Sequence, residues 1–335
     1  SDQQLLRFYP ADHKLIRYTG RVDFSNTKSP RFYQPGIYVD VRFRGATCNI
    51  ILHDQQLWGK QNYFSLILDG KYRRLQTRAG TDTIVVASGL SEGWHTLRIV
   101  KETEANIGWL AFGGVMAEKL AKPSKRPKRK IEFIGDSITC GASSDDSEVP
   151  CGTGVWEDQH NAYQSFGPIT ARRLEAEWHL SSVSGFGLIR SCCGIEEVLP
   201  AHYASIDMRG DSLAWNFSRY QADLVVICLG QNDGQQDSTA FCQAYIDFIE
   251  EVSFRHPKAA ILCISSPMAD AALTDMLRRY LTAVRQHFWD RGQKQVDTYL
   301  FADSYTNGCD FHPNVADHTQ IARHLADYIE QSLGW

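Results

Sequence analysis

Residues 130–139 run Lys-Ile-Glu-Phe-Ile-Gly-Asp-Ser-Ile-Thr, a short apolar stretch that ends in a tight Gly-Asp-Ser turn. Apolar stretches of similar length recur at 180–184, 223–229, 259–265 and 298–302. Such strands, rich in Ile, Val and Leu, are typical of a sheet that is buried on both faces. Helical patterns lie between them, at 163–178, 239–255, 271–289 and 315–333. This alternation predicts an α/β domain over residues 131–335, with a five-stranded parallel sheet between two layers of helices.

The preceding residues show a different periodicity. Short runs that alternate apolar and polar residues occupy 37–43, 49–52, 63–68, 83–87 and 94–100. Pairs such as Asp69-Gly70 and Glu92-Gly93 separate them. Many short strands without intervening helices predict an all-β sandwich over residues 1–120. A sandwich of this kind either supports the neighbouring domain or binds carbohydrate, and we favour support.

A basic stretch at 121–130 joins the two regions and contains two prolines and six basic residues. Charge also changes here: residues 1–130 carry 22 Lys and Arg against 11 Asp and Glu, and residues 131–335 carry 13 against 28. We interpret 121–130 as an interdomain linker. A nucleic-acid contact is the weaker interpretation, because no nucleic-acid-binding motif accompanies the charge.

Composition narrows the class of protein further. The chain has 335 residues, of which 43% are hydrophobic and 22% charged, with a formal net charge of −4. These values favour globular domains over disorder. The apolar runs are far shorter than the roughly 20 residues that cross a membrane, so we expect no membrane partner. The chain opens on Ser1 without a signal peptide, which is consistent with a mature or trimmed product.

The nine cysteines do not form Cys-x-x-Cys pairs, so we expect no metal site. We also expect no cofactor. An odd number excludes complete disulfide pairing. Cys140 and Cys151 are candidates for one bridge across a loop. Three others, Cys228, Cys242 and Cys263, lie in apolar patterns and are interpreted as small buried hydrophobic residues.

Candidate catalytic residues follow four of the predicted strands. Ser137 comes after the first, Gly185 and Gly187 after the second, Asn232 after the third and His312 after the fifth. Ligands of such sheets bind at the carboxyl ends of the strands, so these residues should converge there. Ser137 then serves as nucleophile and His312 as base. An oxyanion hole forms from the Ser137 N–H, the Gly185 or Gly187 N–H and the Asn232 amide.

The order Gly-Asp-Ser, Gly, Gly-x-Asn-Asp and His-Pro resembles the SGNH (GDSL-type) hydrolases. The preceding β-sandwich and the longer motifs Ile-Gly-Asp-Ser-Ile-Thr-Cys-Gly and Gly-Cys-Asp-Phe-His-Pro-Asn narrow the resemblance to carbohydrate esterase family 2. That family comprises two-domain bacterial acetyl esterases that act on plant polysaccharides. The resemblance implies a jelly-roll domain followed by a three-layer α/β/α domain. It also implies removal of acetyl groups from xylan or glucomannan, with a 6-O preference, by a secreted or cell-surface protein.

The expected triad acid is missing from its usual position. SGNH enzymes usually carry an Asp three residues before the histidine, where this chain has Cys309; the carboxylate comes one residue later, at Asp310. Some members of the resembled family use a Ser-His dyad in which a main-chain carbonyl holds the histidine. We therefore expect a dyad or an irregular triad, with Asp310 as a candidate orienting residue. Asp136 is interpreted as a turn residue beside the nucleophile.

Substrate contacts are expected from aromatic side chains near the motifs. Trp156, Phe311 and Trp215, the last in the polar loop 211–218, are the candidates, although core packing would explain each equally well. The expected partner is an acetylated polysaccharide or oligosaccharide, and we expect a monomer that binds neither nucleic acid nor membrane. Two alternatives stay open: an esterase or thioesterase for other acyl groups, and a non-catalytic carbohydrate-binding protein.

Overall fold

The computed structural model describes residues 5–210 and 212–335, which form two compact units that divide between Arg126 and Pro127. The first unit is an antiparallel β structure. Its strands are β1 Arg7–Pro10, β2 Arg17–Thr19, β3 Val22–Asp23, β4 Arg31–Phe32, β5 Tyr38–Asp54, β6 Tyr63–Leu68, β7 Lys71–Gln76, β8 Thr81–Ala87, β9 Trp94–Lys101 and β10 Leu110–Ala121.

Strand β5 organises the first unit, because it pairs with β2, β8, β9 and β10. The runs 37–43 and 49–52 were predicted as separate strands, and this prediction is wrong. They lie in the same 17-residue strand, along which buried positions such as Phe43 and Ile50 enter the apolar core of this unit. The Gly45-Ala46-Thr47 break resembles a turn in sequence, but pairing with β10 continues on both sides of it, with a register shift between Ala117 and Lys119.

The second unit contains a parallel sheet with the strand order β12-β11-β13-β14-β15 and helices between the strands. Its strands are β11 Arg129–Gly135, β12 Ala176–Ser182, β13 Leu224–Cys228, β14 Ala260–Ile264 and β15 Val296–Tyr299. Its helices are α1 Ser137–Cys140, α2 Phe166–Arg173, α3 Leu199–His202, α4 Ser238–Arg255, α5 Ala271–Trp289 and α6 Val315–Leu333. The predicted α/β class with a five-stranded parallel sheet is confirmed for this unit.

The helix predicted over 163–178 is too long. Helix α2 ends at Arg173, and Ala176 already belongs to β12. Trp178 pairs with Ile131 of β11 and is 1% exposed. The apolar residues that extend the helical pattern are therefore used by a buried strand, since pairing within the sheet overrides local helical preference.

The basic stretch 121–130 contributes residues to both units, because the division between Arg126 and Pro127 falls within it. Strand β10 ends at Ala121 and β11 begins at Arg129, so the last two basic residues lie within the sheet. Arg126 donates to the Thr19 hydroxyl, at 3.0 Å, and to the Tyr18 carbonyl, at 2.9 Å. Among the described residues, no helix combines the length and apolarity that crossing a membrane requires.

Candidate active site

Ser137 follows strand β11 directly and is the first residue of α1. Asp136 caps this short helix, because its Oδ1 accepts the Ile138 N–H at 3.0 Å. A Cβ atom at Gly135 would lie 2.1 Å from Thr139 Oγ1, so only glycine allows the strand to turn this tightly into the helix. The turn holds Ser137 at the carboxyl end of β11, where this residue is 9% exposed to solvent.

His312 lies against Ser137. Its Nε2 atom is 2.8 Å from Ser137 Oγ, and its Nδ1 atom is 2.9 Å from the main-chain carbonyl oxygen of Asp310. A carbonyl only accepts, so Nδ1 carries the ring proton and Nε2 of the neutral ring presents its lone pair to the serine hydroxyl. The Asp310 carboxylate is exposed, and the contact to the ring is made by the backbone of this residue.

We call residues 307–314 the histidine loop. Within it, the Gly308 N–H donates to the His312 carbonyl at 2.7 Å, and the His312 N–H donates to the Cys309 carbonyl at 3.0 Å. Asp310 and Phe311 have φ values of +51° and +58°, so two consecutive non-glycine residues adopt the left-handed conformation. Such residues cost on the order of 1–3 kcal/mol each unless the surroundings impose them. Their conformation turns the Asp310 carbonyl toward the imidazole.

Residues outside the histidine loop hold it. Asp317 of α6 accepts the Asn307 N–H at 2.9 Å and the Asn314 N–H at 3.2 Å, which closes the base of the loop. The Cys309 N–H donates to the Ser143 carbonyl at 2.9 Å, and the Cys309 side chain forms a disulfide with Cys151.

The bridge considered between Cys140 and Cys151 is therefore wrong. Cys140 is buried and takes part in neither disulfide, and its Sγ lies 3.1 Å from Ser182 Oγ, because α1 points this side chain toward β12. A second disulfide joins the adjacent residues Cys192 and Cys193. Sequence spacing could not reveal either pair, since disulfide connectivity depends on which loops meet in space.

The predicted oxyanion donors lie around the same strand ends. The Asn232 amide nitrogen is 3.0 Å from the Phe186 carbonyl and 3.4 Å from Asp136 Oδ2. The Gly187 N–H donates to Ser191 Oγ at 3.0 Å, so it is already engaged. Gly185 has φ of +82°, and a Cβ there would lie 2.7 Å from Ile195 Cδ1. This geometry favours Gly185 over Gly187 as an available backbone donor.

Asp233 was not recognised from the sequence as part of the site. Its carboxylate is 2% exposed and accepts the N–H groups of Leu188, Ile189 and Arg190 at 2.8–3.0 Å. Burial raises the pKa of Asp233, and these three bonds oppose that shift. The residue thus shapes the loop that follows Gly185. Its place beside Asn232 in the Gly-x-Asn-Asp motif was the available signal, although such a pair more often forms a turn.

The three aromatic candidates differ in exposure. Phe311 is 78% exposed and adjacent to His312. Trp156 is half-buried, and its Nε1 donates to Ser143 Oγ at 3.2 Å. Trp215 is only 6% exposed, and its ring packs against the Arg219 guanidinium, which favours the core-packing alternative for this residue. Asp211, at the start of the same loop, lies outside the described residues.

His318, on helix α6, is a second histidine near His312. Its Nδ1 accepts the Phe166 N–H at 3.0 Å, and complete burial lowers its pKa to about 3. It is therefore neutral at ordinary pH. In the part of the chain that the structure describes, no cluster of three or more His, Cys, Asp or Glu side chains is placed to hold a metal ion.

Fold and site together match known hydrolase families. Residues 133–320 match the GDSL-like Lipase/Acylhydrolase family, and residues 18–127 match the Carbohydrate esterase 2 N-terminal family. The second unit is thus of the GDSL-like hydrolase class. The chain as a whole belongs to carbohydrate esterase family 2, a family of carboxylic ester hydrolases.

Individual relatives agree with this assignment. The chain is 35% identical over 97% of its length to the cellulase/esterase CelE of Acetivibrio thermocellus, but it spans only 40% of that protein. It is 27% identical to an acetylxylan esterase / glucomannan deacetylase of Cellvibrio japonicus, over 90% of this chain and 85% of the relative. A solved family two carbohydrate esterase from Clostridium thermocellum, in complex with cellohexaose, is 34% identical with a TM-score of 0.88, covering 96% of this chain and 99% of that one.

Proposed function

We propose that the chain removes O-acetyl groups from plant cell-wall polysaccharides, with xylan and glucomannan as substrates and a preference for 6-O positions. The observation that carries this proposal is the 2.8 Å contact between Ser137 Oγ and His312 Nε2 at the carboxyl edge of the sheet. The substrate class is supported by the names of the relatives, above all the acetylxylan esterase / glucomannan deacetylase of Cellvibrio japonicus.

The reaction begins at the serine hydroxyl. His312 Nε2 accepts the Ser137 proton while Ser137 Oγ attacks the acetyl carbonyl carbon. The imidazolium that forms keeps its Nδ1–H on the Asp310 carbonyl, which stabilises its positive charge. The arrangement is a Ser-His dyad oriented by a main-chain carbonyl, and the Asp310 side chain takes no part in it.

The tetrahedral intermediate carries a negative charge on the former carbonyl oxygen. We assign its stabilisation to the Ser137 N–H, the Gly185 N–H and the Asn232 amide. One Asn232 N–H is held by the Phe186 carbonyl at 3.0 Å. The other makes the longer 3.4 Å contact with Asp136, and we assign this hydrogen to the oxyanion.

The intermediate collapses when His312 gives the proton to the departing sugar oxygen. This leaves an acetyl group on Ser137. Water then attacks the acetyl-enzyme, with His312 as base, and releases acetate and the free serine. The sugar itself is held by aromatic contacts, for which exposed Phe311 and half-buried Trp156 are the candidates. We further propose that the protein acts as a secreted monomer.

The test is acetate release from acetylated xylan, acetylated glucomannan and 4-nitrophenyl acetate, comparing the intact chain with Ser137→Ala. Ser304→Ala, which changes an exposed serine of the same unit, is the matched control. We expect Ser137→Ala to abolish turnover while its thermal melting matches that of the control. Full activity in Ser137→Ala would overturn the assignment of the nucleophile.

Acyl-chain length separates this proposal from its main alternative. Acetyl esters should react much faster than butyrate and longer esters. If longer chains react better, the chain is an esterase for other acyl groups. If it binds polysaccharide and hydrolyses no ester, the non-catalytic alternative replaces the proposal.

A further inference from the structure

We propose that the Cys151–Cys309 disulfide is a positioning element for catalysis: it holds the Asp310 carbonyl on His312 and thereby substitutes for the missing triad acid. The inference rests on the proposed roles of Ser137 and His312. The disulfide does not touch the reacting atoms. It acts through the turn that Cys309 begins and His312 ends.

The turn needs an external restraint. Asp310 and Phe311 both adopt left-handed conformations that side-chain-bearing residues rarely adopt. Both side chains are exposed, so their own packing does not impose the conformation. A restraint on the residue just before them fixes where the left-handed pair begins, and that residue is Cys309, which is 7% exposed.

The other end of the disulfide is itself anchored. Cys151 lies in an exposed segment, but the Gln159 side chain, 5% exposed, donates to three carbonyls around it: Val149 at 3.1 Å, Pro150 at 3.3 Å and Thr153 at 3.2 Å. The disulfide therefore ties the turn to a fixed segment. Across 158 residues of chain, it joins the segment that follows Ser137 to the loop that carries His312.

Other contacts restrain different parts of the histidine loop. Asp317 holds its two ends, at Asn307 and Asn314. Ser143 holds the Cys309 backbone. The disulfide is the covalent restraint on the Cys309 side chain, and it resists rotation of the turn about these hydrogen bonds. Without it, the turn can relax toward ordinary backbone angles, which moves the Asp310 carbonyl away from Nδ1.

The experiment compares Cys151→Ser, Cys309→Ser and the double variant, with Cys242→Ser as the control, since Cys242 is a half-buried free cysteine of α4. The substrate is 4-nitrophenyl acetate, which does not depend on the sugar-binding aromatic residues. Each variant is assayed below its melting temperature after its fold is checked by circular dichroism. We expect kcat to fall about 10- to 100-fold, as for a catalytic group displaced by about 1 Å, with KM nearly unchanged.

Two readouts separate positioning from general stability. Each single substitution breaks the same bond, so the two single variants and the double variant should lose the same factor. In addition, the His312 imidazolium loses its carbonyl acceptor, so the acid limb of the kcat/KM profile should move to lower pH. The neighbouring titratable residues Asp317 and His318 are unchanged in all variants. A merely structural role would lower the amount of active protein and leave this limb in place.

Reduction of the native protein provides a test that needs no substitution. A phosphine reductant should lower the wild-type rate to that of the double variant and leave the double variant unaffected. The positioning role is overturned if the variants keep the wild-type kcat and pH profile, or if the two single losses multiply in the double variant. It is also overturned if the reductant slows the double variant as much as it slows the wild type, because the effect would then belong to Cys192–Cys193. If the wild-type protein lacks Ser137-dependent esterase activity, the proposed function fails instead.

Discussion

The two sides of the Ser137–His312 pair are built in different ways. The serine side, residues 135–141, carries its own restraints: Asp136 accepts the Ile138 N–H two residues away, and Gly135 permits the tight turn. The histidine loop depends on distant residues, through the disulfide to Cys151 and the bond to the Ser143 carbonyl. The position of a side chain in a short motif can thus be fixed by neighbouring residues in the sequence, whereas the position of one on an irregular loop is fixed by residues from elsewhere in the fold.

The largest effect outside the Ser137–His312 pair should come from the proposed oxyanion donors. Asn232→Ala removes a side-chain donor from the developing negative charge, so we expect kcat to fall about 100- to 1000-fold with little change in KM. Steady-state kinetics on 4-nitrophenyl acetate measure this, with thermal melting to show that the fold is retained. A loss below about threefold would mean that Asn232 does not face the oxyanion.

The loop behind Gly185 should be the next most sensitive element. The two carboxylate oxygens of Asp233 accept three backbone N–H groups. In Asp233→Asn, an NH2 group, which is a donor, replaces one of these oxygens. We expect a stability loss of about 1–3 kcal/mol and a lower kcat, because a buried donor then faces another donor. Urea unfolding and kinetics measure the two effects.

Asp237→Asn is the matched control for that prediction. Asp237 is exposed and caps α4 by accepting the Ala240 N–H at 2.9 Å, a role that Asn also performs. The two variants should therefore differ clearly. Equal behaviour would show that the Asp233 clamp does not shape the site.

Helix α6, which follows the histidine loop, should make the fold sensitive to acid. His318 has a folded-state pKa of about 3, below the value of about 6.5 in an unfolded chain. The unfolded state therefore binds the proton more readily between these values, and stability is fully present above pH 6.5 and declines as pH falls toward 3. The slope from this group reaches at most about 1.4 kcal/mol per pH unit.

Urea unfolding between pH 7 and 4 tests the acid sensitivity. His318→Gln keeps an acceptor for the Phe166 N–H and should flatten the pH dependence. His324→Gln, on an exposed face of the same helix, should leave the dependence unchanged. If all three proteins show the same slope, His318 is not the group that titrates.

The smallest effect should come from Asp310, the carboxylate one residue after the expected acid position. Asp310→Asn removes the charge but keeps the main-chain carbonyl that contacts Nδ1, and Asn also tolerates a left-handed conformation. We expect kcat within about threefold of the wild type, since the main-chain carbonyl that contacts the imidazole is unchanged. A loss of 1000-fold or more would instead make the Asp310 carboxylate the orienting group.

Much of the second unit could be predicted from local patterns. Helices α5 and α6 begin and end where their apolar periodicity predicts, and the strand before Asn232 is a continuous apolar run. Because parallel strands end at one edge of the sheet, four motifs scattered over 175 residues could be assigned to one site. Helices and motifs of this kind are specified by residues close together in the chain.

The remainder depended on contacts between distant residues. Packing between distant surfaces decides three features. Two predicted strands form the single strand β5, residues Ala176–Ser182 form a strand instead of the end of a helix, and Trp215 is buried. The pairing of Cys151 with Cys309 belongs to the same group.

The sequence by itself determined the α/β class, the family and the residues that meet at the sheet edge, because periodicity and strand-end motifs are local properties. Only the tertiary structure decided what the His312 ring contacts: its Nδ1 atom lies 2.9 Å from the main-chain carbonyl oxygen of Asp310, and the Asp310 carboxylate is exposed. The physical reason is that a backbone carbonyl is present at every residue. Which carbonyl accepts the Nδ1–H depends on the left-handed backbone angles of Asp310 and Phe311 and on a disulfide between cysteines 158 residues apart in the sequence.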